Sequence, residues 1–328
     1  MAIVTVASGC AMDIGATTSD VPQGDEAEQV GSVRNAMTAV SCDPTKYDAC
    51  WEKTDSTGSI STRLYQCKAT AATNNNYFIQ CPVESDRVLV GGGAEVIGTP
   101  SPGGLLYHSF GNANGWYASS KAHYYSGPHQ LRVYAIGLKL VNYSVAQLQS
   151  AISYGIVPAS QQLQHAPISL AYRPAGHITL GGGALAYWNG SGGLNDGQLV
   201  YKSYPTPDGA IWIAQSKDHV VSSLGTVSAE IITMPQCPPN LGYCLTSVIS
   251  STNGTSGNGY YSISLTNSAA DSLLTGVGGN INFQGNGRMF SQLYPFPTAS
   301  GTAVSTSKDH YYYDTSNDYV YTVSLKRN

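Results

Sequence analysis

Charge is what this chain has least of. Only 11% of its 328 residues are Asp, Glu, Lys or Arg, well under the usual quarter. The formal net charge is -4, and no basic stripe or acidic tail interrupts it. Nucleic acid is therefore not an expected partner. Helix signal is also scarce: Ser144–Ile152 reads as a short helix capped by Ser144, or as a plain linker. Cysteine pairs at C-x-x-C spacing are absent, which argues against zinc knuckles and redox motifs. What fills the space is 36 glycines, 23 tyrosines and many Ser, Thr and Asn. That balance is typical of extracellular β proteins and speaks against a helical cytosolic enzyme.

Six of the seven cysteines fall into close pairs, Cys42/Cys50, Cys67/Cys81 and Cys237/Cys244. Local disulfides are the expected reading, which places the chain in an oxidising, extracellular or cell-envelope setting. Loops this short gain roughly 2–3 kcal/mol each in the chain-entropy model.

The strongest signal is repetition. "LVGGGAEV" (89–96), "LGGGALAY" (180–187) and "TGVGGNINF" (275–283) each open a unit. "LLYHSF" (105–110), "LVYKSYP" (199–205) and "MFSQLYP" (289–295) follow. Next come "SSKAHYY" (119–125), "QSKDHVV" (215–221) and "TSKDHYY" (306–312), then the alternating runs 131–140, 225–234 and 318–327. Four landmarks in one order, three times, mark tandem units. The predicted fold is all-β, a β-prism-like domain with threefold pseudo-symmetry. It spans 61–328 as units 61–150, 151–240 and 241–328, and the longer units make a β-trefoil the lesser choice. Residues 1–10 read as the remnant of an export signal and 11–60 as a polar tether with a disulfide-pinned extension. The closing runs should be half-buried strands, with Val133, Ala135 and Gly137 on one face and Arg132, Tyr134 and Ile136 on the other. Recurrent glycines inside strands suggest bulges, or backbones that approach too closely for side chains. Around a threefold axis the three Gly-rich strands would lie near one another.

The order "CP…RVLVGGGAEV…LLYHSF…GWYASSKAH…LRVYAIGLKL" resembles a repeat of secreted bacterial proteins of mostly unassigned function. Unit one carries it best, at Cys81-Pro82, Gly91–Ala94, Gly115-Trp116 and Val133–Ile136. Unit two keeps Gly181–Ala184 and Ser203–Pro205 but lacks the Cys-Pro and the Gly-Trp. A looser similarity is to the vitelline membrane outer layer protein family, which implies three Greek-key sheets in a β-prism. "MAIVTVASGCAMD" resembles the lipobox of a bacterial lipoprotein signal, which implies lipidation of Cys10; the other reading is a free thiol.

The Ser-Lys-x-His stretch puts hydroxyl, cation, carboxylate and imidazole side by side. On a strand, neighbours face opposite sides, so Ser216 and Asp218 cannot meet Lys217 and His219. No Gly-x-Ser-x-Gly elbow supports a hydrolase, and Ala122 replaces the acid in unit one. Catalysis is not expected, and neither is a cofactor. Convergence of His123, His219 and His310 would make a three-imidazole metal site, but no metal is assigned. Two readings remain. In one, each Lys–His face packs against tyrosines while the Asp pins a turn. In the other, Trp116, Lys121, His123, Lys217, Asp218, His219, Lys308, Asp309 and His310 contact a ligand in three weak, multivalent sites. Tyr107, Trp116, Tyr201, Trp212 and Tyr294 would supply aromatic faces for sugars, or merely fill a β core. The functional expectation is lectin-like recognition of a glycan or extracellular protein partner. The alternative is a structural or adhesive envelope protein. No long alternating Ser/Thr stretch stands out as a membrane hairpin.

Overall fold

A computed structural model of the protein describes residues 37–98, 104–123, 126–159, 163–188, 197–256, 259–283, 287–298, 301–309 and 315–328. Residues 1–36, which include Cys10 and the segments expected to be an export remnant and a tether, and residues 310–314, which include His310, fall outside those residues. Two strands, β1 (Thr38–Val40) and β2 (Tyr47–Thr54), precede the repeats. Unit one contributes β3 (Ile60–Cys67), β4 (Asn75–Cys81), β5 (Val88–Ile97), β6 (Leu105–Asn112), β7 (Gly115–Lys121) and β8 (Gln130–Leu140). Helix α1 (Val145–Ala151) follows, capped by the Ser144 side chain in a capping box with Gln147. This satisfies donors that a helix N-terminus otherwise leaves open.

Unit two repeats the six strands as β9 (Ser153–Ile156), β10 (Ile168–Tyr172), β11 (His177–Trp188), β12 (Leu199–Pro205), β13 (Ile211–Lys217) and β14 (Gly225–Pro235). Unit three gives β15 (Leu245–Thr255), β16 (Tyr260–Thr266), β17 (Leu273–Phe283), β18 (Met289–Phe296), β19 (Thr302–Lys308) and β20 (Ser316–Arg327). All pairings between these strands are antiparallel, in three sheets. Their orders are β1-β2-β3-β8-β5-β18-β19-β16, β4-β7-β6-β11-β14-β9 and β10-β13-β12-β17-β20-β15.

No sheet belongs to one unit. The glycine-marked strand of each unit pairs with its own closing strand on one side. On the other side it takes the hairpin of the preceding unit: β6–β7 joins β11, β12–β13 joins β17, and β18–β19 returns to β5. The exchange is cyclic, so the last unit closes on the first. Each of these junctions is only two residue pairs long, Glu95↔Gln292 and Ala94↔Leu293 in the ring-closing case.

The glycines explain how the three strands come together. Each glycine-marked strand has a register shift just before its first glycine, at Val90, Leu180 and Thr275. A Cβ on Gly91 would lie 2.1 Å from the Thr275 carbonyl oxygen, one on Gly181 2.6 Å from that of Val90, and one on Gly276 2.8 Å from that of Leu180. Each unit thus presses a bare backbone against the bulge carbonyl of the unit before it. The expected convergence of the glycine strands is present, at van der Waals distance.

The second glycine position accommodates an indole. Cβ atoms on Gly92 and Gly182 would lie 2.5 and 2.4 Å from the rings of Trp116 and Trp212. Trp116 donates to Ser109 Oγ at 3.0 Å and Trp212 to Ser203 Oγ at 3.1 Å. The Gly-Trp pattern that unit two lacks by local sequence is therefore restored by register, since Trp116 lies opposite Gly111 and Trp212 opposite Pro205. Unit three changes both members: Ala303, opposite Pro295, takes the indole position, and Val277 takes the glycine position.

The closing strands are not half-buried. Val133, Tyr134, Ala135 and Ile136 are all buried, and β14 is buried from Gly225 to Met234. One side faces the core; the other is covered by aromatic rings of the exchanged hairpins, as Tyr134 is by Tyr294. The disulfides are Cys42–Cys50, Cys67–Cys81 and Cys237–Cys244, all local. They fit an oxidising, extracellular environment. Among the described residues no helix is long and apolar enough to cross a membrane.

Candidate functional site

The Ser-Lys-x-His stretches sit at the ends of β7, β13 and β19, where strand pairing stops. Ser120, Ser216 and Ser307 are wholly buried. Each meets a polar side chain of its own unit. Ser120 Oγ lies 2.9 Å from His129 Nε2, Ser216 Oγ donates to Gln198 Oε1 at 2.9 Å, and Arg288 Nε donates to Ser307 Oγ at 3.0 Å. Gln198 and Arg288 directly precede β12 and β18. Gly104 holds that place before β6 and leaves the room that the His129 ring fills, since a Cβ there would lie 2.2 Å from its Nε2. Three units thus satisfy one buried hydroxyl with three different residues, as burial requires.

Beyond the serines the units converge. The His123 and His219 rings are 5.5 Å apart, and His219 Nε2 is 3.6 Å from Asp309 Oδ1. All three side chains are buried. Lys121 lies 5.0 Å from the Trp188 ring. Lys308 donates to the Tyr260 hydroxyl at 3.2 Å, and burial pushes its pKa down to about 8. Burial also holds His129 below the ordinary imidazole value, with Lys308 adding to the effect. Asp218 pins a turn: its Oδ2 accepts the Ser223 N–H at 2.9 Å and meets His165 Nδ1 at 2.6 Å. Val220, inside that turn, has a φ of 65°. A small surface cavity of about 220 Å³ borders Lys217, Asp218 and Val221. Among the described residues no three His, Cys, Asp or Glu side chains are arranged to hold a metal.

Of the residues singled out in the sequence, the structure brings His123, His219 and Asp309 together across units. Trp116, Lys121 and Lys308 are also interior, and among the described residues of the set only Lys217 and Asp218 are half-exposed. Tyr107, Tyr201 and Trp212 belong to the core. Ser120 and His129 are in contact as a nucleophile and base would be, but both are enclosed.

The solvent-facing chemistry lies elsewhere, on the outer faces of the sheets. Phe110, Tyr204 and Tyr294 occupy one position of the exchanged hairpin in the three units. Tyr294 stacks on Tyr134 at 5.0 Å and Tyr204 on Tyr321 at 5.1 Å, while Phe110 stacks on Tyr117 at 5.6 Å. Each sheet therefore carries an aromatic pair at its exchange junction. The sheet holding β11 carries the largest group. Phe78 contacts Phe110 edge-on at 5.8 Å and stacks on His108 at 4.8 Å, Tyr77 follows at 4.3 Å, and Tyr187 lies 5.4 Å from His108. Tyr77 is 62% and Tyr187 40% exposed.

Local backbone geometry creates this face. The β4–β7 pairing skips between Asn76 and Ile79, Phe78 adopts a φ of 46°, and its N–H donates to Ser119 Oγ at 2.9 Å. The bulge turns Tyr77 and Phe78 outward together. His108 beneath them bonds the Ala186 carbonyl at 2.8 Å, and burial pushes its pKa down to about 3, so it is a neutral part of the platform. Where the other two sheets have Tyr134 and Tyr321, this one has Glu230. It is fully buried, accepts the Gly111 N–H at 2.7 Å, and burial pushes its pKa up to about 8.

Sequence reasoning missed this face because Tyr77 and Phe78 act through a bulge, not through alternation. The pairing of Phe110 with Tyr117 was findable, since "SFGNANGWYA" reads as a tight hairpin in which they are near-opposite. No protein-family model matches the chain, and no curated protein matches it.

Proposed function

We propose that this is an exported, non-enzymatic recognition protein that binds glycans at the cell surface through the aromatic outer faces of its sheets. The observation that carries the reading is the cluster of Tyr77, Phe78, Phe110, Tyr117 and Tyr187 around His108, with two of its rings open to solvent. A pyranose presents a face of C–H groups that packs on such rings, while neighbouring polar groups take its hydroxyls. A contiguous exposed apolar patch of this kind marks an interaction site. On the other two sheets the half-exposed Tyr294 with the exposed Phe296, and the half-exposed Tyr204, lie over the buried Tyr134 and Tyr321 and supply weaker copies, and several weak faces on one body raise avidity.

The test is a broad glycan array probed with the native chain and with Tyr77→Ala/Tyr187→Ala, each checked for unchanged thermal unfolding. Loss of two stacking rings at about 1–3 kcal/mol in total corresponds to roughly five- to 150-fold weaker binding. Retention of no sugar by the native chain overturns the reading, as does equal retention by the double variant.

A further inference from the structure

In each unit one strand flanks the closing strand: β3 beside β8, β9 beside β14, and β15 beside β20. These three equivalent edges are treated differently. Strand β3 is covered by β2, which is covered in turn by β1, and Arg63 of β3 is ion-paired to Glu52 of β2. Strand β9 is cut to four residues. Strand β15 runs eleven residues, ends its sheet, and among the described residues pairs only with β20.

Natural sheets blunt their edges by covering them, shortening them or placing charge and proline on them. Covering protects β3 and shortening protects β9. The third device is missing from β15: no Asp, Glu, Lys or Arg occurs from Ile231 to Ala270, and no Pro from Leu245 to Thr255. Its side chains from Thr246 to Thr255 are half-buried or exposed. Val248 stands where Arg63 stands in β3. The covered edge thus carries a charge matched by its cover, and the open edge carries none.

We propose that β15 is an interaction edge whose occupant is β15 of a second copy of this chain, paired antiparallel about a twofold axis. A twofold contact is isologous, residue i facing j and j facing i, so a charge near the middle of the edge would lie close to its own copy, and this edge carries none. With the eleven residues fully overlapped, Ser250 faces Ser250, Ile249 faces Ser251 and Val248 faces Thr252. Hydroxyl and β-branched pairs of this kind stabilise antiparallel strands. A foreign peptide selected by charge would find nothing on this edge to read. The proposal does not rest on glycan binding, and its test involves no sugar.

Sedimentation velocity of the oxidised chain, from micromolar to hundreds of micromolar, should show a concentration-dependent dimer. Ser250→Lys and Thr252→Lys alter half-exposed side chains and should each weaken dimerisation roughly tenfold or more, with circular dichroism unchanged. Ser250→Cys should give a covalent dimer on oxidation that dithiothreitol dissolves, and this decides the matter if a lysine variant fails to fold. A native chain that stays monomeric throughout overturns the proposal, as does a dimer untouched by both lysines with no crosslink at position 250. Dye release from phosphatidylcholine–phosphatidylglycerol vesicles by the native chain and not by Ser250→Lys also overturns it, because the edge would then serve a bilayer.

Discussion

Replacing Gly91 by Ala puts a methyl group 2.1 Å from the carbonyl oxygen of Thr275. That oxygen belongs to a register-shifted residue of another unit's central strand, so no side-chain rotation relieves the contact. Overpacking a well-filled core costs about 1–3 kcal/mol, and a backbone-on-backbone clash belongs at the upper end, about 3 kcal/mol. Gly181→Ala and Gly276→Ala, with contacts of 2.6 and 2.8 Å, should each cost about 2 kcal/mol. Gly155 in β9 is the control. A Cβ there meets the Ile231 side chain at 3.5 Å, ordinary packing distance. Gly155→Ala should stabilise by about 0.5 kcal/mol through lost unfolded-state freedom. The assay is urea unfolding of the oxidised chains, followed by tryptophan fluorescence and compared at constant slope. If Gly91→Ala unfolds at the same urea concentration as Gly155→Ala, the units do not meet at these glycines and the packing argument fails.

Four further outcomes follow from particular contacts. Glu230 keeps its proton in the folded protein up to about pH 8, whereas an unfolded glutamate ionises near 4.5. Its contribution is therefore present below pH 4.5 and lost as pH rises to about 8, a span worth about 5 kcal/mol. Glu230→Gln should flatten that part of the stability–pH curve and leave the variant the more stable chain at pH 8, as read by thermal unfolding. Lys308 has the opposite sign: its folded pKa of about 8 lies below the ordinary 10.5, so stability rises between those values, and Lys308→Met should remove the rise. Ala303→Trp alone should destabilise by about 1–3 kcal/mol, and adding Val277→Gly should restore much of it, which a double-mutant cycle of urea midpoints measures. Removing the disulfide in Cys67→Ala/Cys81→Ala should cost about 3 kcal/mol for a loop of this size, readable as an earlier urea midpoint.

The local disulfides and the capped helix at Ser144 were legible because each depends on neighbours in sequence, and the repeats and the role of the glycines because one pattern recurs three times. The cyclic exchange was not. "LLYHSF" looks the same whether it pairs with its own glycine strand or the next, and only the closed ring of units decides. Burial of the closing strands follows from that exchange, since the covering rings at Tyr294 and Tyr204 come from a different unit. The equivalence of Trp212 and Trp116 was hidden for a related reason. Their flanking sequences differ, and only their places opposite Pro205 and Gly111 agree. The Ser-Lys-x-His stretches drew notice through repetition, yet repetition marked buried architecture: the three serines need internal partners and the strand ends need closing. The Ser/Thr-rich character of β15 passed unnoticed because its alternation is irregular.

Cyclic exchange is the claim on which the glycine contacts, the aromatic junctions and the threefold arrangement all depend. Crosslinking tests it directly, because opposed residues in an antiparallel pair lie within disulfide reach. Glu95→Cys/Gln292→Cys joins β5 to β18 across the ring closure. Asn280→Cys/Gln292→Cys would join β18 to the glycine strand of its own unit, since Asn280 is the position that receives Lys202 in β17. Peptide mapping by mass spectrometry should find the first bond formed and the second absent. The second bond formed in place of the first would contradict the account.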